Sequence, residues 1–141
     1  MKKISILFLT LILFSCATSV KNSANKPLFE ILTQQNDGGA NIRFFEILTE
    51  PNEIKMLQND AKLKNKISSN DIQTSNFIVL NMGEKATAGC KIGIESILET
   101  DKNIIITVKE TSPKSHSTVS QVFTYPYCIV KVNSKKEIII K

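Results

Sequence analysis

The spacing of apolar residues from residue 76 onward constrains the fold most strongly. Apolar and polar residues alternate over 90–95 and, apart from Ile105, over 104–109, which is the period of a β-strand that is buried on one face. The run Phe77-Ile78-Val79-Leu80 is apolar at every position, which is typical of a strand covered on both faces. These segments predict antiparallel β-structure built around one central strand.

Turn and helix signals divide the N-terminal half. Asn36-Asp37-Gly38-Gly39 predicts a hairpin between strands at 28–35 and 41–48, because its glycines supply positive φ at little cost. Glu50-Pro51-Asn52-Glu53 predicts the start of a short helix near residues 51–63, with proline in the first turn and acidic residues at the positive end of the dipole. Mostly polar residues follow, and they predict a loop.

The C-terminal half reads as strands joined by loops. A loop is predicted at 83–89 and a hairpin loop at 99–103. A long strand over 121–132 is interrupted at Pro126, which lacks the N–H that a ladder needs. A last strand is predicted at 137–141.

Together these elements amount to about seven or eight strands and one short helix. We therefore expect a mainly β chain that folds as a compact antiparallel β-sandwich or a partly open barrel. By length, residues 27–141 make one β-rich domain.

The first fifteen residues have the pattern of a processing signal. Lys2 and Lys3 precede the apolar run Ile4–Phe14, which is shorter than the roughly 20 residues of a transmembrane helix. The run ends in Leu13-Phe14-Ser15-Cys16, which resembles the lipobox of bacterial lipoproteins. The resemblance implies that residues 1–15 are a signal peptide and that Cys16 receives a lipid.

A lipidated Cys16 would hold the protein at a membrane, since several acyl chains give stable attachment. Residues 16–26 then form a flexible tether, because they are small and polar. Ala17 follows the cysteine where an aspartate would suggest inner-membrane retention, so we expect the cell envelope and the outer membrane, on its periplasmic face or at the cell surface. The alternative is ordinary secretion with cleavage nearby.

Cys90 and Cys128 are the cysteines that remain, and both fall in predicted strands. An exported protein can form a disulfide between them if their Cα atoms lie within about 7 Å. The interpretation that we favour is two buried thiols that act as small apolar residues.

The chain offers little for catalysis. His116, the single histidine, stands in a polar loop, and no HExxH or CxxC motif supplies metal ligands. We expect no enzymatic activity, no metal and no cofactor. The net charge of +5 includes Lys2 and Lys3, and the remaining lysines are scattered, so nucleic acid is not an expected partner.

Two motifs accompany the strands at 76–79 and 104–109: Gly83-Glu84-Lys85-Ala86-Thr87-Ala88-Gly89-Cys90 and Val122-Phe123-Thr124-Tyr125-Pro126-Tyr127-Cys128-Ile129-Val130. With them, residues 76–132 resemble the C-terminal domain of the PrcB family, the accessory subunits of bacterial surface protease complexes. Within the first motif the chain departs from the family pattern, with Ala86 in place of proline, Ala88 in place of glycine and Cys90 in place of tyrosine. The resemblance implies a protein that binds or stabilises a protease-like partner.

Two segments of this pattern are candidates for partner binding. Thr87 would present its hydroxyl at the tip of a loop, and tyrosines around a proline kink suit a recognition surface. The candidate residues are Lys85, Thr87, Gly89, Tyr125, Pro126 and Tyr127. The alternative is that both segments only shape the sandwich.

Three functions follow from these observations. The leading one is a lipid-anchored accessory subunit that binds an envelope protease or another envelope assembly. The second is a protease inhibitor, because residues 85–90 loosely resemble the loop of chagasin-type inhibitors of cysteine proteases. The third is a generic envelope domain with a structural or carbohydrate-binding role, which the absence of tryptophan makes weaker.

Overall fold

A computed structural model describes residues 26–114 and 118–141, which form two facing β-sheets and a short helical segment. The elements in chain order are β1 (Phe29–Gln35), β2 (Arg43–Leu48), α1 (Pro51–Asn59), α2 (Asp71–Thr74), β3 (Asn76–Met82), β4 (Lys91–Glu99), β5 (Asn103–Thr111), β6 (Tyr127–Val132) and β7 (Glu137–Ile140). The predictions for the signal peptide, for Cys16 and for His116 lie outside the described residues. Within the described ranges, no helix is long and apolar enough to cross a membrane.

The first sheet has the strand order β1-β6-β3-β2 and is antiparallel throughout, and the second has the order β4-β5-β7. The two sheets pack face to face, which confirms the mainly β, sandwich-like fold. One pair departs from the expected antiparallel arrangement, because β7 runs parallel to β5. After β6 the chain turns at 133–136 and crosses to the other sheet instead of forming a hairpin.

The predicted hairpin between the first two strands is wrong. β1 and β2 lie at opposite edges of the first sheet, with β6 and β3 between them. The turn after β1 crosses the ends of those two strands, and the Gly39 N–H donates to the Tyr125 carbonyl at 2.9 Å. A Cβ on Gly39 would lie 2.2 Å from Asn81 Oδ1. The glycines therefore let the chain pass close over the end of the sheet, and they do not form a tight hairpin.

The central strand β3 is covered on both faces, as its apolar run predicts. Ile78 and Leu80 face the second sheet, where they share a core with Ile104 and Ile106. Phe77 faces the opposite side and packs in a second core whose other members include Leu32, Ile54, Leu63 and Ile129. Each fully buried side chain of this size contributes about 1.5–3 kcal/mol relative to an exposed one.

The helical segment covers the outer face of the first sheet. α1 begins at Pro51, and the Glu53 carboxylate accepts from the Glu50 N–H at 3.2 Å as a capping group does. It ends at Asn59, earlier than the expected Leu63, and the chain continues as turns that still bury Leu63. The predicted loop that follows contains the short helix α2.

Candidate partner-binding surface

The two segments that were predicted to bind a partner lie together at one end of the sandwich. We call it the distal surface, and it consists of the turn 36–42, the loop 83–90 and the segment 118–126. β1 pairs with β6 from Phe29, opposite Val132, to Gln35, opposite Tyr127. The chain enters near Phe29, so the distal surface lies a strand length of about 20 Å from that entry.

The loop 83–90 and the segment 118–126 are joined as one unit. Lys85 and Thr124 exchange two backbone hydrogen bonds, each of 2.8 Å. The Thr124 hydroxyl donates to the Thr87 carbonyl at 3.0 Å, and the Ala88 N–H donates to the Ser120 carbonyl at 3.0 Å. The expected long strand over 121–132 is therefore wrong in its first half. Those residues bind the loop 83–90, and β6 begins only at Tyr127.

The crossing turn 36–42 is hydrogen-bonded to the same unit. The Glu84 N–H donates to the Asn41 carbonyl at 3.0 Å, and the Tyr125 N–H donates to Asp37 Oδ1 at 3.2 Å. The Tyr125 hydroxyl donates to Glu84 Oε2 at 2.9 Å. That hydrogen bond to Glu84 raises the pKa of the Tyr125 hydroxyl, which therefore remains a proton donor at neutral pH.

Glycine is required at the base of the loop. Gly83 has φ +73°, a conformation that residues with a Cβ rarely adopt, and a Cβ there would lie 2.8 Å from the Arg43 nitrogen. Gly89, a predicted site residue, has φ +88° at the other end of the loop. Both positions set the path of the loop.

The predicted site residues separate into two groups. Lys85, Thr87 and Tyr125 are half-buried and belong to the distal surface. Pro126 is buried, and its carbonyl accepts from the Met82 N–H at 2.9 Å. Tyr127 packs against the core beneath the helical segment, and its ring lies beside Gly38 of the turn 36–42. Both residues therefore support the distal surface from below.

Three apolar side chains of the distal surface were missed by the sequence reasoning. Ile42 is 76% exposed, Val122 is 51% exposed and Phe123 is 66% exposed. Their backbone neighbours, Asn41 and Thr124, are hydrogen-bonded to successive residues of the loop 83–90. In the sequence these residues stand out only as apolar residues next to turn-forming segments. Such residues occur equally at the ends of buried strands, so the pattern does not indicate exposure.

A groove of about 530 Å³ opens between the loop 83–90 and the residues on either side of 115–117. Lys85 and Lys114 contribute to its walls. Cys90 lies at its inner end, where its Sγ is 3.8 Å from both the Thr87 and the Ser112 hydroxyl oxygens. The groove therefore has two cationic side chains in its walls, and its thiol is buried.

Both cysteines of the described residues are free. The disulfide that the sequence left open is absent from the structure, and both thiols are buried as in the interpretation we favoured. Cys128 lies in the core between the sheets, where burial raises its pKa to about 11. In residues 26–114 and 118–141, no group of three or more histidine, cysteine or acidic residues could hold a metal ion.

Comparison with known proteins identifies the C-terminal half. Residues 76–133 match the family model described as PrcB C-terminal. No curated protein and no solved structure matches the chain. The match begins with β3, contains the loop 83–90 and the segment 118–126, and ends just after β6. It confirms the resemblance to the PrcB C-terminal domain that the two motifs predicted.

Proposed function

We propose that this chain is a lipid-anchored, non-enzymatic accessory subunit of the cell envelope, which binds a protease or another envelope assembly through its distal surface. The family match supports a role with a protein partner. The protease is the partner that the resemblance implies.

The observation that carries the proposal is the exposure of Ile42, Val122 and Phe123 on a hydrogen-bonded surface. Large apolar side chains that are exposed together favour a protein interface over free solvent. Burying one of them fully in a complex is worth about 1.5–3 kcal/mol. Because backbone hydrogen bonds already hold the three segments, binding would cost little conformational entropy.

The position of the surface suits a protein anchored at its N-terminus. The chain enters near Phe29 and the distal surface lies at the opposite end of β1. A tether of residues 17–26 spans at most about 35 Å when it is extended. A lipid on Cys16 would therefore keep the domain near the membrane and leave the distal surface free to meet a partner.

Co-purification from the envelope tests the proposal. The full-length protein should retain an identified envelope protease or assembly, and the double variant Val122→Ser with Phe123→Ser should lose it. Leu98→Ser is the matched control, because Leu98 is 60% exposed on β4, near the hairpin loop that leads to β5. Equal recovery by all three proteins, or recovery of no envelope component by any, would contradict the proposal. Circular dichroism verifies that each variant is folded.

A further inference from the structure

We propose that the free edge of β2, together with the groove beside α1, is a second binding site for an extended partner segment that carries lysine or arginine at alternate positions. This site lies outside the distal surface and does not depend on the function proposed for it. The inference rests on an open strand edge, an apolar floor and three carboxylates that form no ion pair with another described residue.

The strand edge is open within the described residues. β2 is the last strand of the first sheet and pairs there only with β3. The Met82 N–H donates to the carbonyl of Pro126, just before β6, so Met82 and every second residue of β3 direct their backbone groups toward β6. The residues between them direct theirs toward β2. This alternation leaves the backbone groups of Phe45 and Ile47 directed away from β3. An extended segment can add to such an edge by hydrogen-bonding to these groups.

The groove beside this edge has a volume of about 350 Å³ and lies between β2, β3 and α1. Its floor is apolar and contains Leu48, Leu57 and Val79. Met56 stands at its margin and is 75% exposed. A lysine or arginine would bury its alkyl stem on such a floor and keep its charged end in water.

Three carboxylates line the same groove: Glu46, Glu53 and Asp60. None of them belongs to an ion pair with another described residue. The chain as a whole carries a net charge of +5, so this acidic groove is a local exception. Cationic side chains from a partner would complement it, and the attraction would weaken as salt is added.

Charge also argues against a second copy of this chain as the occupant. β2 would bring its own Phe44, Glu46 and Leu48 to the groove face, because side chains alternate along a strand. Pairing of two β2 edges would place Glu46 of one copy near the acidic groove of the other. Like charges across such a pair are unfavourable.

The test uses the full-length protein in a neutral detergent and a fluorescent nonapeptide that alternates lysine with valine. We expect binding by fluorescence anisotropy that weakens about tenfold in Glu46→Lys, the loss of about 1.4 kcal/mol of binding free energy. Glu95→Lys is the matched control, because it makes the same charge change on β4 of the other sheet. We expect it to change the affinity for the peptide less than about twofold, because Glu95 lies away from the groove. Loss of its exposed ion pair with Lys109 should also cost the fold little stability. Equal affinities for wild type and Glu46→Lys would overturn the proposal.

Two altered peptides test the geometry on the wild-type protein. Replacing lysine by glutamate should abolish binding, because the groove is acidic. N-methylation of alternate residues should weaken binding strongly, because it removes the donors that pair with the β2 edge while keeping the side chains. Binding of either peptide as tight as that of the parent would overturn the proposal, as would a dimer, seen by sedimentation, that the peptide dissociates. The variant Phe123→Ser should bind the peptide normally, which separates this site from the distal surface.

Discussion

The Asn81 carboxamide pairs with the backbone of Ala40 in both directions, accepting from its N–H at 2.9 Å and donating to its carbonyl at 2.8 Å. Asn81 is 1% exposed on the central strand β3, and Ala40 belongs to the turn that crosses the end of that strand. One buried side chain thus supplies the hydrogen bonds that the crossing turn would otherwise lack. This contact fixes one side of the distal surface.

Asn81→Asp should destabilise the protein by about 3 kcal/mol, because a buried carboxylate would face two backbone carbonyls with no donor to offer them. Urea unfolding at neutral pH measures the change. Asn65→Asp, an exposed position with the same substitution, should change the free energy of unfolding by less than about 0.5 kcal/mol. Equal stabilities of the two variants would show that the turn does not depend on Asn81.

The stability should depend on pH through Asp71. Burial of the Asp71 carboxyl by itself raises its pKa, but hydrogen bonds from the Ser68 N–H and hydroxyl, both of 2.8 Å, and the Lys131 ammonium at 3.7 Å outweigh burial and lower the pKa below its ordinary value of 3.8. A lowered folded-state pKa stabilises the fold above the unfolded-state value, and this contribution disappears as the pH falls through the folded-state value.

Asp71→Asn should therefore unfold more easily than wild type at pH 7, and the difference should shrink as the pH is lowered below about 4. Free energies of unfolding of both proteins across this range measure the effect. Asp101→Asn, an exposed position in the β4–β5 turn, is the control. A difference between Asp71→Asn and wild type that stays constant down to pH 3 would contradict the account of Asp71.

Cys90 and Cys128 should resist alkylation in the folded protein, because both are buried and the raised pKa of Cys128 suppresses its thiolate. Iodoacetamide labelling under native conditions should leave both unmodified, and labelling in urea without reductant should modify both. Mass spectrometry distinguishes these cases. Two thiols that react in urea only after reduction would reveal a disulfide and contradict the structure.

Local patterns predicted those elements whose partners lie nearby in sequence. The β4–β5 pair follows from two alternating segments around a short turn, and the two-sided burial of β3 follows from its unbroken apolar run. The pairing of β1 with β6 joins residues such as Phe29 and Val132, far apart in the chain, and no local pattern specifies it. The same Asp-Gly-Gly signal serves a hairpin or a crossing turn, which is why the hairpin prediction failed.

The candidate site was predicted only in part for the same reason. Tyr125 and Tyr127 stand on either side of Pro126, so a sequence pattern groups them, yet Tyr125 hydrogen-bonds to Glu84 while Tyr127 packs against the core. Asn41, the neighbour of Ile42, reaches Glu84 of the loop 83–90 only because the chain crosses the sheet before β2. Whether an apolar residue is exposed depends on such long-range contacts, and no periodic pattern in the sequence indicates it.

Cys16→Ser should remove the lipid anchor and leave the protein unprocessed at its signal peptide. We expect metabolic labelling with a palmitate analogue to mark the wild type and not the variant, since the thiol is the expected acceptor. Ser15→Ala keeps a small residue before the cysteine and should be labelled normally. Equal labelling of wild type and Cys16→Ser would contradict the lipoprotein assignment.

Photocrosslinking in living cells tests the central claim most directly, because it reports contacts of the distal surface without purification. A photoreactive phenylalanine analogue is placed at Phe123 and, as a matched exposed position, at Leu98. The account predicts a crosslink from position 123 to an envelope protease or its assembly, and none to that partner from position 98. Crosslinks to the same proteins from both positions, or none from position 123, would contradict a role for the distal surface in partner binding.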